Sequence, residues 1–338
     1  MRAWVVDDPG PIDTRPLALV DLPEPRPGPG QVRVRVRCCG VCRTDLHLAE
    51  GDLPARRRGT VPGHEVVGVV DQVGAGVSRL AIGDRIGVAW LGGTDGVCRY
   101  CRSGRENLCV APTFTGWDVD GGYAQLCLAD ERFAYALPDG LEDEQAAPLL
   151  CAGIIGYRAL RTAAVPPGGR LGIYGFGGSA HLTAQLALAQ GLRVHVLTRG
   201  EHNRRLAVRL GCDSVGGATD EPPEPLDGAI LFAPAGDLVP VALRALDRGG
   251  TLATAGIWLS DIPALQYDRE LFQEKVLRSV TANTRADGEE FLRLALRLGV
   301  RATTVPYSMA AADQALADLA AGAFGGAAVL HVPAEWSD

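Results

Sequence analysis

The spacing of apolar and polar residues changes near residue 150, and the change predicts two kinds of structure within one chain. Before this point the chain consists of short β-branched runs bounded by Gly and Asp, a pattern typical of strands. In residues 32–37 valine and arginine alternate strictly, which predicts a half-buried strand with valines inward and arginines in solvent. The other predicted strands here are 2–7, 66–73, 83–90 and 122–128. We therefore expect a mainly β first part that closes into a small barrel.

After residue 150, predicted strands and helices alternate along the chain. The predicted strands are 170–174, 193–197, 228–232, 250–255, 276–283 and 326–332. The predicted helices run from the glycine-rich residues 175–180 to Gln190 and over 201–210, 237–247, 287–298 and 310–321. Repeated β-α-β units of this kind predict a parallel, doubly wound sheet.

Composition narrows the class of protein. A chain of 338 residues is large for one core, so two domains are expected, and 47% apolar residues predict a globular protein. The net charge of −7 argues against a nucleic-acid partner, which would need a basic face. No run is long enough to cross a bilayer, and acidic residues follow Met1 too soon for a signal peptide. These features predict a cytoplasmic protein with no membrane partner.

Three separated segments carry the residue types of a catalytic zinc site. Cys42 lies in the stretch Gly40–His47, where Gly40 is expected to allow a tight turn, His64 lies in a Gly-His-Glu sequence, and Cys151 lies far downstream. Two thiolates and one imidazole, with the fourth position open, form the ligand set of a catalytic zinc. Asp45 is a plausible acceptor for the free ring N–H of His64.

The remaining cysteines divide into clustered and isolated ones. Cys98, Cys101 and Cys109 have the spacing of a structural zinc loop, and such clustering favours metal ligation over disulfides. Cys127 and Cys212 lie in apolar-looking segments and are expected to be packed in the core.

A glycine-rich turn predicts a dinucleotide site. Gly175-x-Gly177-x-x-Ala180, which also contains Gly178, opens a helix directly after an apolar strand, as the dinucleotide-binding motif requires. The helix N-terminus would then receive the pyrophosphate. The next strand ends in Thr198 and Arg199 without the acidic residue that usually binds the ribose of NAD, so NADP is favoured and NAD remains possible.

The segments Cys42–His47 and Gly63–Glu65 and the glycine loop occur in the order found in a known family, and the chain resembles the zinc-dependent medium-chain alcohol dehydrogenases. The resemblance implies a GroES-like catalytic domain over 1–150 and a Rossmann domain over 151–285. It also implies that residues 286–338 return to the catalytic domain.

The resemblance also implies roles for single residues. Thr44 would pass the alcohol proton towards His47, and Arg43 would bind the cofactor pyrophosphate. Glu65 would lie close behind the metal, which it would transiently bind in place of water. Trp90 and Trp117 would line the substrate cleft, although both are also consistent with ordinary core residues.

One position departs from the family pattern. The family usually has a fourth cysteine three residues before Cys98, where this chain has Asp95. A carboxylate oxygen can complete a zinc tetrahedron, so we expect zinc bound by Asp95 and the three cysteines. An empty or partly oxidised loop is the alternative.

The predicted function is zinc-dependent oxidation of a primary or small alcohol, or reduction of the aldehyde, with NAD(P). The alternatives are an NADPH-dependent aldehyde reductase of the cinnamyl-alcohol type and a non-catalytic cofactor-binding protein on the same fold. The resemblance implies a homodimer or homotetramer, and residues 256–259 are the candidate sheet edge for its interface.

Overall fold

The computed structural model describes residues 1–54 and 56–336. The chain divides into two compact units. The first contains Met1–Cys151, Ala282–Leu296 and Ala302–Asp338, and the second contains Ala152–Thr281 and Arg297–Arg301. Within the described ranges, no helix has the length and apolar character needed to cross a membrane.

Strands form the framework of the first unit, and strands alternate with helices in the second. The strands are β1 (Arg2–Val6), β2 (Leu17–Asp21), β3 (Gln31–Val41), β4 (Val66–Val73), β5 (Arg85–Val88), β6 (Leu91–Gly93), β7 (Thr113–Phe114), β8 (Leu126–Asp130), β9 (Ala134–Ala136), β10 (Arg170–Tyr174), β11 (Arg193–Leu197), β12 (Ser214–Gly216), β13 (Leu226–Leu231), β14 (Leu246–Thr254), β15 (Val276–Ser279), β16 (Thr304–Ser308) and β17 (Ala327–His331). The helices are α1 (Arg43–Glu50), α2 (Arg99–Arg102), α3 (Asp143–Pro148), α4 (Ile154–Ala163), α5 (Gly178–Ala189), α6 (Glu201–Arg209), α7 (Leu238–Ala245), α8 (Tyr267–Glu270), α9 (Arg285–Leu298) and α10 (Ala312–Ala321).

The main sheet of the first unit has the order β16-β17-β3-β4-β5-β9, and β8 also pairs with β3. Neighbours are antiparallel except for β16 and β17. The valines of β3, together with Val66 and Val70 of β4, lie in a core that also contains Tyr123 and Trp4. The prediction that the first part is mainly β is confirmed, and β4 has the predicted bounds.

The predicted outward direction of all three β3 arginines is wrong at Arg33. Its side chain is buried because Asp71 accepts from both Nε and Nη2, at 2.9 and 3.0 Å, and Glu24 accepts from Nη1 at 3.0 Å. Arg35 and Arg37 are exposed as predicted. Two carboxylates therefore compensate for the burial of one guanidinium that the alternation alone would place in solvent.

The second unit contains a six-stranded, entirely parallel sheet in the order β12-β11-β10-β13-β14-β15. This confirms the predicted doubly wound sheet. Three elements of this unit were not predicted: α4, the short edge strand β12 and the short helix α8. The helix predicted over 237–247 ends at Ala245, and β14 begins at Leu246.

The candidate sheet edge at residues 256–259 is wrong. These residues follow β14 without joining the sheet, and β15 is the edge strand instead. In the first unit, the unpredicted β16 pairs with β17, and β17 pairs with β3 in the register Val329 opposite Gly40. The C-terminal strand thus flanks the strand that leads into Cys42.

Candidate active site

Cys42 lies where strand β3 ends and helix α1 begins. Sequence analysis predicted no helix here, yet residues 43–50 form one with Cys42 as the residue before its first turn. Asp45 accepts the backbone N–H of Cys42 at 2.9 Å and thereby fixes the helix start. A helix N-terminus favours a thiolate, so the local fold already suits Cys42 to metal binding.

The predicted tight turn at Gly40 is wrong, because Gly40 lies inside β3. Its importance is steric. A Cβ atom at this position would lie 1.8 Å from Oε2 of Glu65 and 2.9 Å from its Cβ. The absent side chain therefore leaves the space in which the Glu65 carboxylate reaches the site.

The structure brings four candidate ligands together. The ligand atoms of Cys42, His64, Glu65 and Cys151 lie within 4.8 Å of one another, with Cys151 in a π-helical turn at Leu149–Gly153. The two sulfurs are 3.9 Å apart. Two thiolates on one tetrahedral zinc, at about 2.3 Å each, would be separated by about 3.8 Å. The sulfur spacing therefore suits one shared metal ion.

The hydrogen bonding of this cluster supports the same fit. Both ring nitrogens of His64 and Oε2 of Glu65 are buried without a hydrogen-bond partner. Such atoms are costly to bury unless a partner of another kind is present. A cation between the two thiols and the imidazole would provide that partner, so the residues fit a zinc ion.

Asp45 organises the surroundings of the cluster. Its Oδ1 accepts the N–H of Gly63 at 3.0 Å, and its Oδ2 accepts from the Tyr123 hydroxyl at 3.3 Å. Oδ1 also lies 3.3 Å from Nδ1 of His64, without the alignment of a full hydrogen bond. Nε2 of His64 is thus the nitrogen left for a metal. Tyr123 was not predicted from the sequence, since no spacing links it to Asp45.

The charges of the cluster favour a thiolate at Cys42. The hydrogen bond from the Cys151 thiol is the main cause that lowers the pKa of Cys42, burial opposes it, and the nearby His64 ring lowers it further. Burial would lower the pKa of His64, but Asp45 and Cys42 raise it overall. Burial is also the main cause that raises the pKa of Glu65. Of the two thiols, Cys42 is therefore the one whose anionic form is favoured, since the pKa of Cys151 is raised.

The predicted proton-transfer residues lie at different depths on α1. The Thr44 hydroxyl is buried and lies 3.7 Å from the Cys42 sulfur. His47 is partly exposed, and its Nδ1 lies 3.0 Å from Oδ2 of Asp52. Arg43 is exposed at the first position of the helix. The structure places Thr44 beside the cluster, and the relay to His47 stays a prediction.

Three aromatic rings form a surface beside His64, which we call the aromatic wall: Trp90, Phe114 and Trp117. Trp90 meets the His64 ring edge to face, with centroids 5.0 Å apart. It stacks on Phe114 at 4.8 Å and lies 6.0 Å from Trp117 at an interplanar angle of 9°. Phe114 was not predicted from the sequence, because its position follows from the pairing of β7 with β6, in which it lies opposite Leu91.

The cysteine loop forms a second cluster in the first unit. The ligand atoms of Asp95, Cys98, Cys101 and Cys109 lie within 4.8 Å of one another. The Cys98 sulfur is 3.6 Å from that of Cys101 and 4.0 Å from that of Cys109. This again suits a tetrahedral ion.

Backbone N–H groups prepare Asp95 for a cation. Its Oδ1 accepts from Val97 at 2.9 Å and from Cys98 at 3.0 Å, and these bonds lower its pKa. The backbone of Cys101 lowers the pKa of Cys98, whereas desolvation raises the pKa of Cys101 to about 11. One carboxylate oxygen is therefore already bonded to the protein, and the other is the candidate ligand atom.

The cysteine loop is also tied to the rest of the first unit. Glu106, just before Cys109, accepts from Arg285 Nη2 at 2.6 Å and from Nε at 2.9 Å. The guanidinium lies over the Phe133 ring at 4.8 Å. Arg285 begins α9, so this pair anchors the loop to the N-terminus of that helix.

In the second unit, the glycine loop has the shape that the motif requires. Gly175 has φ +86°, and a Cβ there would lie 2.8 Å from the Ala233 nitrogen. Gly177 precedes α5 with open space around it, and Gly178 begins the helix. Ala180 is fully buried. The exposed backbone at the helix N-terminus suits a pyrophosphate.

The end of β11 has the predicted side chains but a more complex charge pattern. Thr198 is buried and Arg199 is exposed. Arg204 donates to the Arg199 carbonyl at 3.1 Å and lies 3.6 Å from Glu201. The arginines near this strand end are thus partly compensated by an acidic residue.

Comparison with known proteins gives consistent results. Residues 28–139 match the family described as "Alcohol dehydrogenase GroES-like domain". A probable alcohol dehydrogenase of Mycobacterium tuberculosis is 58% identical over 98% of this chain and 97% of its own length. An alcohol dehydrogenase of Geobacillus stearothermophilus is 36% identical over 87% of this chain and 89% of its own.

Three solved structures share the fold over 98% of this chain. They are a cobalt- and zinc-bound thermostable alcohol dehydrogenase of Pyrobaculum aerophilum (TM-score 0.89, 26% identity, 99% of that chain covered), an acetophenone reductase of Geotrichum candidum in complex with NAD (0.88, 26%, 96%), and a CAD of Helicobacter pylori complexed with NADP(H) (0.86, 25%, 99%).

Proposed function

Since the chain belongs to the zinc-dependent medium-chain alcohol dehydrogenase family, we propose that it interconverts an alcohol and its aldehyde with a nicotinamide dinucleotide. The observation that carries the proposal is the convergence of Cys42, His64 and Cys151 from three separated segments. A buried imidazole with no hydrogen-bond partner between two thiols has little purpose without a metal.

We assign Cys42, His64 and Cys151 as the ligands of a catalytic zinc. When bound, zinc supplies Lewis-acid polarisation of the substrate hydroxyl. Asp45 orients the His64 ring from behind, as an acidic partner of a metal-binding histidine usually does. Glu65 approaches the same centre through the space beside Gly40 and is the candidate for a transient fourth ligand.

We assign Thr44 as the residue that accepts the proton of the alcohol. Its hydroxyl can accept this proton and donate its own onward, and His47 with Asp52 lies nearer to solvent to receive it. Arg43 is assigned to the cofactor pyrophosphate because it is exposed and cationic at the start of α1.

We assign binding of the dinucleotide to the second unit. Gly175, Gly177, Gly178 and Ala180 would hold the pyrophosphate at the start of α5. Thr198 and Arg199, with no acidic residue at the end of β11, support NADP over NAD. Adenosine 2′-phosphate should inhibit more strongly than AMP, and equal inhibition would contradict this preference.

The cysteine loop is assigned a structural zinc held by Asp95, Cys98, Cys101 and Cys109. The two backbone N–H bonds that fix Asp95 support a carboxylate in the position where the family usually has a cysteine. Metal analysis of undamaged protein should give about two zinc ions per chain. A value of one would contradict the assignment of this loop.

The aromatic wall supports a primary alcohol as substrate and favours a second candidate function. The aromatic wall consists of three nearly parallel rings beside the metal cluster. A planar ring in the substrate could pack against this wall by stacking. This arrangement supports an aryl or cinnamyl-type alcohol, with the reverse reaction reducing the aldehyde. A comparison of benzyl alcohol with 1-propanol separates the two candidates.

The exposed apolar residues of the second unit support a homodimer or homotetramer. Five large apolar side chains of this unit are 43–65% exposed: Ile257, Trp258, Tyr267, Phe272 and Val276. They lie along the chain leading into the edge strand β15, whose outer edge can pair with a second copy. Light scattering that gives a monomer mass would contradict this proposal.

The activity test is oxidation of a panel of alcohols, followed by the near-ultraviolet absorbance of reduced nicotinamide. Enzyme stripped of metal should lose activity and regain it with zinc. Undiminished oxidation by metal-free protein would overturn the proposed function, and no oxidation by the zinc-loaded protein would favour the non-catalytic alternative.

A further inference from the structure

We infer that Arg56 and Arg57 are positioning residues that hold Trp117 parallel to Trp90 and so set the preference for ring-bearing alcohols. The inference rests on the proposed function, because it concerns the substrate side of the same site. We call the contacts of Arg56 with Asp118 and of Arg57 with Asp120 the arginine clasp.

The first half of the clasp acts on the indole directly. The Arg56 guanidinium lies 4.4 Å from the Trp117 ring centroid, and its Nε lies 3.0 Å from Oδ1 of Asp118. The other oxygen of Asp118 accepts the backbone N–H of Phe114 at 2.8 Å. A single carboxylate therefore links the cation that covers Trp117 to the backbone of another wall residue.

The second half fixes the segment that carries the first. Arg57 contacts Asp120, whose Oδ1 also accepts the Val61 N–H at 2.9 Å. Trp117 Nε1 donates to the Pro54 carbonyl at 2.9 Å, on the other side of the two arginines in the chain. Arg56 thus contacts the ring face of Trp117, and Pro54, two positions earlier in the chain, accepts its N–H.

The exposure of these groups predicts a moderate effect. The Arg56 side chain is 58% exposed, and an exposed ion pair by itself contributes little. Asp118 is only 14% exposed and is bonded at both oxygens, and the cation also contacts an aromatic face. Loss of Arg56 should therefore tilt Trp117 without unfolding the protein.

The orientation of Trp117 matters for a planar substrate. The planes of the two indoles differ by only 9°, and Trp90 meets the ring of His64, so the stacked rings extend from Trp117 to the metal cluster. An aromatic substrate gains stacking energy from a correctly oriented face, whereas a short alkyl alcohol has no ring to stack. The clasp should consequently affect KM for aryl alcohols and leave the chemical step unchanged.

The test compares Arg56→Gln with two matched controls, using benzyl alcohol and 1-propanol. Arg58→Gln removes the same charge from the neighbouring exposed position, which makes no clasp contact among the described residues. Arg2→Gln removes another guanidinium that lies over an indole, that of Trp336, at 5.8 Å. Trp117→Phe keeps a ring but removes the N–H donor to Pro54.

Arg56→Gln should raise KM for benzyl alcohol by roughly three- to tenfold, the size of one aromatic contact, with kcat unchanged. KM for 1-propanol should change by less than about twofold. Trp117→Phe should also raise the ratio of KM for benzyl alcohol to KM for 1-propanol.

An equal effect on both alcohols, or the same effect in Arg58→Gln, would overturn the clasp. An unmodified enzyme that oxidises neither alcohol would overturn the proposed function, whereas an active enzyme with an unchanged ratio would overturn the clasp alone.

Discussion

The two cysteine-containing clusters of the first unit have similar sulfur spacings but are built in opposite ways. Cys42 and Cys151 are 109 positions apart in the chain, yet their sulfurs lie 3.9 Å apart. In the cysteine loop, Cys98 and Cys109 are only 11 positions apart, with sulfurs separated by 4.0 Å. The first geometry follows from the whole fold of the unit, and the second follows from one loop.

The polar groups of the two clusters differ in the same sense. The His64 nitrogens are buried without hydrogen-bond partners, whereas one oxygen of Asp95 is already bonded by two backbone N–H groups. In the first cluster the fold leaves the ring nitrogens of a metal ligand without a partner in the protein. A site that only stabilises a loop satisfies its ligands locally. We therefore expect substitutions in the first cluster to change activity and those in the second to change stability.

The largest expected effect is loss of a catalytic ligand. Cys151→Ala should reduce kcat by roughly three orders of magnitude, because Lewis-acid stabilisation contributes several kcal/mol. Its zinc content should fall by about one ion per chain. Cys212→Ala, in the second unit and outside both clusters, is the control. Full activity in Cys151→Ala would remove this residue from the site.

The next largest effect is expected at Gly40, where a substitution tests whether the space beside this strand residue is needed by the first cluster. Gly40→Ala would place a methyl group 1.8 Å from Oε2 of Glu65, so strand or carboxylate must move. We expect about 1–3 kcal/mol of destabilisation and a clear fall in activity. Chemical denaturation with zinc analysis measures both. Gly10→Ala is the control, since its nearest contact would be an ordinary 3.4 Å. Equal behaviour of the two variants would contradict the steric role of Gly40.

A smaller effect on activity is expected at the cysteine loop. Asp95→Ala should lose the metal of this loop and lower the melting temperature while kcat per catalytic zinc stays close to that of the unmodified enzyme. Asp95→Cys should retain the metal, because a thiolate completes the same tetrahedron. Zinc analysis and thermal melting distinguish the variants. A strong loss of kcat in Asp95→Ala with the melting temperature unchanged would contradict the expectation that this cluster controls stability and the first cluster controls activity.

The smallest effect concerns the anchor of that loop. Burial alone would raise the pKa of Glu106, but the bonds from Arg285 lower it overall. A carboxyl whose pKa is lower in the folded state stabilises the protein above its unfolded pKa of about 4.3, and this contribution is lost as the pH falls through the folded value. Glu106→Gln should therefore lower the melting temperature at neutral pH and approach the unmodified protein in acid.

Glu289→Gln is the control for this pH dependence, because the ion pairs that Glu289 on α9 makes with described residues are long, at 3.9 and 4.0 Å. A difference between Glu106→Gln and the unmodified protein that persists in acid would exclude ionisation of Glu106 as its cause.

The sequence predicted those features that depend on local pattern. Strands 66–73, 170–174 and 193–197 were predicted at their observed bounds because each is an apolar run ended by a turn residue. The turn at Gly175 was predictable because a positive φ favours glycine.

The missed features depend on contacts between distant segments. Arg33 is buried because Asp71 lies on the neighbouring strand, and Phe114 joins the aromatic wall because β7 pairs with β6. Gly40 was interpreted as a turn because the chain alone does not reveal that a carboxylate approaches it. Tyr123 reaches Asp45 across 78 positions, and no local motif records such a contact.

The pairing of β17 with β3 has a consequence for biosynthesis. Residues 38–41, which lead directly into Cys42, form their ladder with residues 328–331. During translation this edge stays open until residues 328–331 leave the ribosome, although both thiols and the imidazole of the cluster emerge long before. The pairing of β3 with β17 therefore forms later than the three ligands are synthesised, and until then the nascent chain carries an uncovered β-edge that a chaperone can recognise.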